Sequence, residues 1–148
     1  YVHKSKGLTF CTSDQEYEGG PDTTRFSKRN VKNFMTIKRR YVWGLYDGSG
    51  SEIKFTPKEY YKKFIYDIDY EKMADVVFIG DADSKRPKDL NVDLDYLFNL
   101  YPNSTIVHYY YKGIPAIGFC DFKKLTLVFQ RIKSNWFLIG IFHGEQGV

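Results

Sequence analysis

The sequence predicts an α+β fold: a curved antiparallel sheet of about four to six strands, with about two or three helices packed on one face. Three stretches carry that prediction. Asp121 to Gln146 is the densest run of β-branched, aromatic and aliphatic residues, and Lys133-Ser134-Asn135 divides it into two strand-like halves. Thr105 to Lys112 alternates from side to side shortly before it. Thr56-Pro57-Lys58-Glu59 has the composition of a helix start, with a capping hydroxyl, a proline in the first turn and a glutamate to reach back.

The totals bound the answer. A chain of 148 residues suits one domain with a single core. Aromatic residues make up 18%, which argues against disorder. A net charge of +4 favours anionic partners only mildly and is no nucleic-acid footprint. No run approaches the ~18 apolar residues of a transmembrane segment. The first residue is Tyr1 rather than Met, which reads as a mature or truncated product. Export to the periplasm, the cell envelope or the extracellular space is the localisation expected from it. In an exported chain Cys11 and Cys120 would close one large loop, worth roughly 4–5 kcal/mol in the chain-entropy account. The alternative is two separate thiols, with Cys120 a small buried apolar group.

Residues 1–24 read as a partly irregular N-terminal arm and residues 25–148 as a single α+β domain. Within the arm, Leu8-Thr9-Phe10 is able to add a short strand, and Gly19-Gly20-Pro21-Asp22 is a turn or linker. Ser27 caps a helix expected to reach about Arg40, with Val31, Phe34 and Met35 on one stripe that continues to Val42. Val42 to Tyr46 then runs into Asp47-Gly48-Ser49-Gly50, a loop between elements that lacks the lysine of a phosphate loop. The helix opened at Thr56 runs to about Tyr66, with Tyr60 and Phe64 inward. Asp67-Ile68-Asp69 breaks it, and Tyr70 to Ala74 forms a further helical turn.

Val76 to Ile79 reads as a compact buried strand. Asp81 and Asp83 alternate as at the start of a calcium loop. Lys85, Arg86 and Val92, however, stand where such a loop needs a ligand, a glycine and a glutamate. Asn91 or Asp93 caps a helix containing Leu94, Leu97 and Phe98, and Pro102 stops it. Asn103-Ser104-Thr105 fits the glycosylation acceptor pattern. Beyond it, Thr105, Val107, Tyr109 and Tyr111 share one face of a strand, and Ile106, His108 and Tyr110 the other. In the hairpin Leu125, Leu127 and Phe129 oppose Thr126, Val128 and Gln130, and Trp136 to Phe142 is apolar on both faces. Consecutive strands make a three-stranded meander.

Chemistry-bearing residues are few. His108 and His143 lie on strands of one sheet, with Asp121 and Glu145 near in sequence, and are the candidates for an acid–base or metal cluster. The plainer alternative is a sheet histidine hydrogen-bonded to tyrosine or backbone. No HExxH or His-x-His spacing specifies a metal, and Gly48-Ser49-Gly50 lacks the frame of a nucleophile elbow. Trp43, Tyr46, Tyr60, Tyr109 and Tyr111 are the candidate ligand-binding set, because such side chains give large contact area at low entropic cost; the alternative is that they rim the core. Lys28, Arg29, Lys32, Arg39 and Arg40 form a candidate basic surface, with no acid between Arg25 and Arg40; the alternative is an ordinary solvated helix face.

An early helix, a Trp/Tyr-containing loop and further short helices precede the long strands. The strands end in Leu-x-Leu-Val-Phe and Trp-Phe-Leu-Ile-Gly-Ile, between Leu125 and Phe142. This order resembles the NTF2-like and cystatin-like families. The resemblance implies helices against the concave face of a curved antiparallel sheet, and a role in ligand binding, scaffolding or, for some NTF2-like members, catalysis. No member's catalytic motif maps onto this chain residue by residue. The preferred expectation is a non-enzymatic exported domain that binds a protein partner, a second copy included, or a small ligand through an aromatic-lined cavity or surface. The alternatives are a small NTF2-like enzyme using His108 with Asp121 or His143, and a binder of anionic polymer, with nucleic acid ranked low, acting through the basic helix 28–40. No cofactor and no metal are expected.

Overall fold

The meander expected near the C-terminal end forms the middle of a larger sheet. A computed structural model of the chain describes residues 2–3, 6–12, 23–46, 49–118 and 121–145. The strands are β1 (Leu8–Cys11), β2 (Thr23–Phe26), β3 (Tyr41–Leu45), β4 (Glu52–Phe55), β5 (Val76–Gly80), β6 (Ser104–Tyr111), β7 (Lys123–Ile132) and β8 (Asn135–Glu145). Six of them form one sheet in the order β2-β1-β8-β7-β6-β5, and β3 and β4 pair as a separate hairpin. The helices are α1 (Lys28–Lys32), α2 (Pro57–Tyr60), α3 (Tyr70–Met73) and α4 (Leu94–Leu100). None of the described helices is long and apolar enough to cross a membrane.

The fold is α+β as expected, but the sheet is mixed. Short β1 lies parallel to β8, with Phe10 beside Ile141, and antiparallel to β2. The arm thus contributes an interior strand whose Leu8, Phe10 and Cys11 are buried. The Gly19–Asp22 turn lies outside the described residues.

Strand register separates two faces. On the first, Leu125 sits opposite His143 and Tyr109, and Leu127 opposite Ile141. This face packs with Phe10, Phe26, Trp43, Tyr60, Phe64 and Tyr70 in one core cluster. On the second, Thr126 pairs with His108 and Phe142, and Val128 with Ile106. There Ile106, Val128 and Phe142 pack against Leu90, Leu94, Leu97 and Phe98. The helices are therefore divided: α2 covers the first face and α4 the second. An arrangement with every helix on one concave face, which the family resemblance implied, does not describe this packing. Alternation along β6 and β7 supplies apolar residues to both faces, and each face needs cover.

The helix start at Thr56 forms as read. The Glu59 amide donates to the Thr56 hydroxyl (3.3 Å), and the Thr56 amide donates to the Glu59 carboxylate (2.8 Å). After one α-turn the chain widens into a π-turn at Tyr61–Ile65, which buries Phe64 and Ile65 and ends at Tyr66. Asp93 caps α4, its Oδ1 accepting from the Tyr96 amide at 2.9 Å.

Four expectations are corrected. The helix from Ser27 stops at Lys32, where Asn33 leads into a 3-10 turn at Phe34–Thr36. Ser27 does cap α1, but α1 buries no residue, and of the expected stripe Phe34 is buried whereas Met35 and Val42 stay exposed. One buried residue and half-buried Val31 give little reason to continue the helix. The segment from Tyr41, read as leading into a loop, is strand β3 of a hairpin. Gly44 allows its bulge: at φ +152 a Cβ there would meet the Thr12 hydroxyl at 2.4 Å. Finally, β5 is an edge strand and only half covered, with Phe78 buried but Ile79 68% exposed. Likewise Trp136 at the start of β8 is exposed, and that strand is buried only over residues 139–143.

Candidate functional site

His108 and His143 do not meet. His108 lies opposite Thr126 and His143 opposite Leu125, so neighbouring β7 residues send them to opposite faces. A bulge decides this. Beyond the turn the pairing runs Phe129 with Leu138 and then Val128 with Gly140, leaving Ile139 as the extra residue. Were Ile139 paired regularly with Val128 instead, His143 would face Lys124 and share the side of Thr126 and His108. His108 is fully buried. Its Nε2–H donates to the Leu90 carbonyl (3.0 Å) and its Nδ1 accepts from the Thr126 hydroxyl (2.7 Å). Both ring nitrogens thus tie the segment before α4 to the sheet. Asp121 is also engaged: its Oδ1 accepts from the Ile114 amide at 2.7 Å and would lie 2.4 Å from a Cβ at Gly113, whose φ is +89. It closes a tight loop rather than facing either histidine.

A polar group that the sequence did not single out occupies the end of the first face. The Lys123 ammonium bridges Asp67 and Glu145, at 3.2 Å from the latter. The Tyr70 hydroxyl donates to Asp67 at 3.3 Å. His143 lies deeper, stacked on Phe64 with centroids 4.8 Å apart and 5.5 Å from the Tyr60 ring. Among the described residues its Nε2 and the Tyr60 hydroxyl have no hydrogen-bond partner, although both are buried. Burial lowers the His143 pKa to about 3; Lys123 adds to the shift and Asp67 opposes it. Burial raises the Tyr60 and Tyr70 phenols in the same way, so both stay protonated. The chemistry is that of a neutral imidazole buried beneath a cluster in which one ammonium serves two carboxylates. Among the described residues no three His, Cys, Asp or Glu side chains are placed to hold a metal ion.

The aromatic set is brought together, but inside the core. Trp43 and Tyr60 are buried and stacked, with centroids 3.7 Å apart and planes at 7°. The Trp43 indole N–H donates to the Phe55 carbonyl at 3.0 Å. Half-buried Tyr46 reaches this cluster through Phe64, and half-buried Tyr109 through Tyr70. Tyr111 is half-buried opposite Lys123. Trp43 and Tyr60 are thus packing residues rather than walls of an open site. Cys11 is buried, and Cys120 lies outside the described residues.

Next to this cluster is a cavity of about 310 Å³. Leu8, Phe10 and Ile141 form its floor. Val31, Phe34, Met35 and Tyr61 form its walls, and Lys32, Asn33 and Thr36 also line it. Every element makes a distinct contribution: β1 and β8 the floor, α1 and the 3-10 turn one wall, the π-turn the other. Of the expected basic surface, Lys28, Arg29, Lys32, Arg39 and Arg40 are all exposed. Arg40 is paired with Glu59 at 3.2 Å, and the Arg39 guanidinium lies 5.4 Å from the Tyr41 ring centre.

The cavity's walls were visible in part as the Val31, Phe34 and Met35 stripe. Its floor was not, because nothing in a four-residue β1 announces that Phe10 lies beside Ile141. Compared with models of known protein families, with curated proteins and with solved structures, the chain matches none.

Proposed function

We propose that this chain is a binding domain that takes a small apolar molecule into the cavity between residues 31–36 and the sheet. The observation that carries this reading is the cavity of about 310 Å³ whose floor and walls are almost entirely aliphatic and aromatic. Ligand sites commonly begin at about 300 Å³ and combine an apolar lining with a few polar groups. An apolar void of about 150 Å³ takes up benzene. About twice that space suits two fused rings or a chain of similar bulk. The core stack of Phe10, Phe34, Trp43 and Tyr60 beneath it supplies a rigid aromatic base. The enzyme alternative has less support, because both His108 nitrogens are engaged and Asp121 serves a loop.

Titration with naphthalene, followed by the methyl resonances of Leu8, Val31 and Ile141, tests this. Shifts confined to those methyls are expected. They should disappear in Val31→Trp, whose added ring fills the space from a helix that buries no residue. Shifts spread over the whole surface, or unchanged in that variant, would refute the reading.

A further inference from the structure

We infer that the molecule taken into this cavity is an anionic amphiphile: a small apolar body carrying one carboxylate or similar group, held with its charge beside Lys32. The inference rests on the cavity being a binding site and adds the class of ligand.

Three observations support it. The lining contains a lysine and no acidic residue, so the positive charge among its residues has no acidic counterpart there. Lys28 stands one helical turn before Lys32, and Arg29 three residues before it, so both extend the same side of α1. Among the described residues none of these three cations is in an ion pair, in contrast to Arg40, which Glu59 occupies. A free cation beside an apolar cavity recognises a ligand with both properties. A neutral ligand would leave the ammonium unused, and a cationic one would be repelled. Asn33 also lines the cavity and supplies an amide N–H₂ as a second donor for an oxyanion.

Isothermal titration calorimetry with naphthoate and its uncharged counterpart naphthalenemethanol tests the inference. At low ionic strength the acid should bind about two- to fivefold more tightly, the upper part of the range for an exposed ion pair. The advantage should vanish in Lys32→Gln, persist in Lys32→Arg and shrink as salt is added. Equal binding of the two probes would overturn the anionic class while leaving the cavity as a site. Binding of neither would overturn both. Co-sedimentation with vesicles of anionic phospholipid that naphthoate does not reverse would overturn it in favour of a membrane surface.

Discussion

His143 makes the stability of this protein depend on pH between about 6.5 and 3. An unfolded histidine takes up its proton as pH falls through about 6.5. In the folded chain burial holds the His143 ring neutral down to about pH 3. Between those values the unfolded state binds the extra proton, so stability is full above the upper value and is lost as pH falls towards the lower. The slope approaches about 1.4 kcal/mol per pH unit, and between pH 6.5 and 4.5 the loss is about 2–3 kcal/mol. That is a large share of the roughly 5–15 kcal/mol that holds a domain folded. His143→Phe keeps the stack on Phe64 and removes the titrating ring, and with it the unpartnered Nε2. Urea unfolding of both proteins at several pH values across the window gives the test. Groups that both proteins share cancel in the difference to first order. The wild-type curve should fall relative to the variant by about 2–3 kcal/mol. Parallel curves would refute the burial of a neutral imidazole at this position.

Other perturbations read other parts of the structure. Thr56→Ala removes the hydroxyl that receives the Glu59 amide and should cost about 1 kcal/mol in denaturant unfolding. Trp43→Phe removes the donor to the Phe55 carbonyl and part of a buried ring, and should cost about 2–4 kcal/mol. In the wild type acrylamide should quench exposed Trp136 and spare Trp43, and in Trp43→Phe only the quenchable emission should remain. Lys123→Met leaves Asp67 and Glu145 without their shared cation at a mostly buried position, and should cost on the order of 2–4 kcal/mol at neutral pH. Urea unfolding of the variant beside the wild type checks the cost.

Local chemistry was legible in the sequence and long-range pairing was not. Thr56 to Glu59, the Asp93 cap and the alternation along β6 and β7 each depend on neighbours a few residues away, and each formed as read. The extent of the first helix depended on burial, and of its stripe Phe34 is buried and Val31 only partly so. The hairpin of β3 and β4 was obscured by Gly44, which looks like a loop residue but serves a bulge. The relation between His108 and His143 turned on a single extra residue, Ile139. Alternation alone puts both histidines on one face, and the bulge reverses that. The cavity depended on β1 pairing in parallel with β8, which four residues cannot specify.

The position of β1 has a consequence for how the chain acquires its shape during synthesis. Thr9 lies beside Gly140, so β1 has no seat until β8 has been made. Until then Leu8 and Phe10 lack the β8 side of their packing, and β2 is joined to the sheet only through β1. Contacts that join distant parts of a chain form slowly and leave apolar surface open to aggregation in the interval. The floor of the cavity is built across this last junction, from Phe10 and Ile141. A nascent chain stalled before β8 would therefore have no complete cavity, and uptake of an apolar probe would report the final step of assembly.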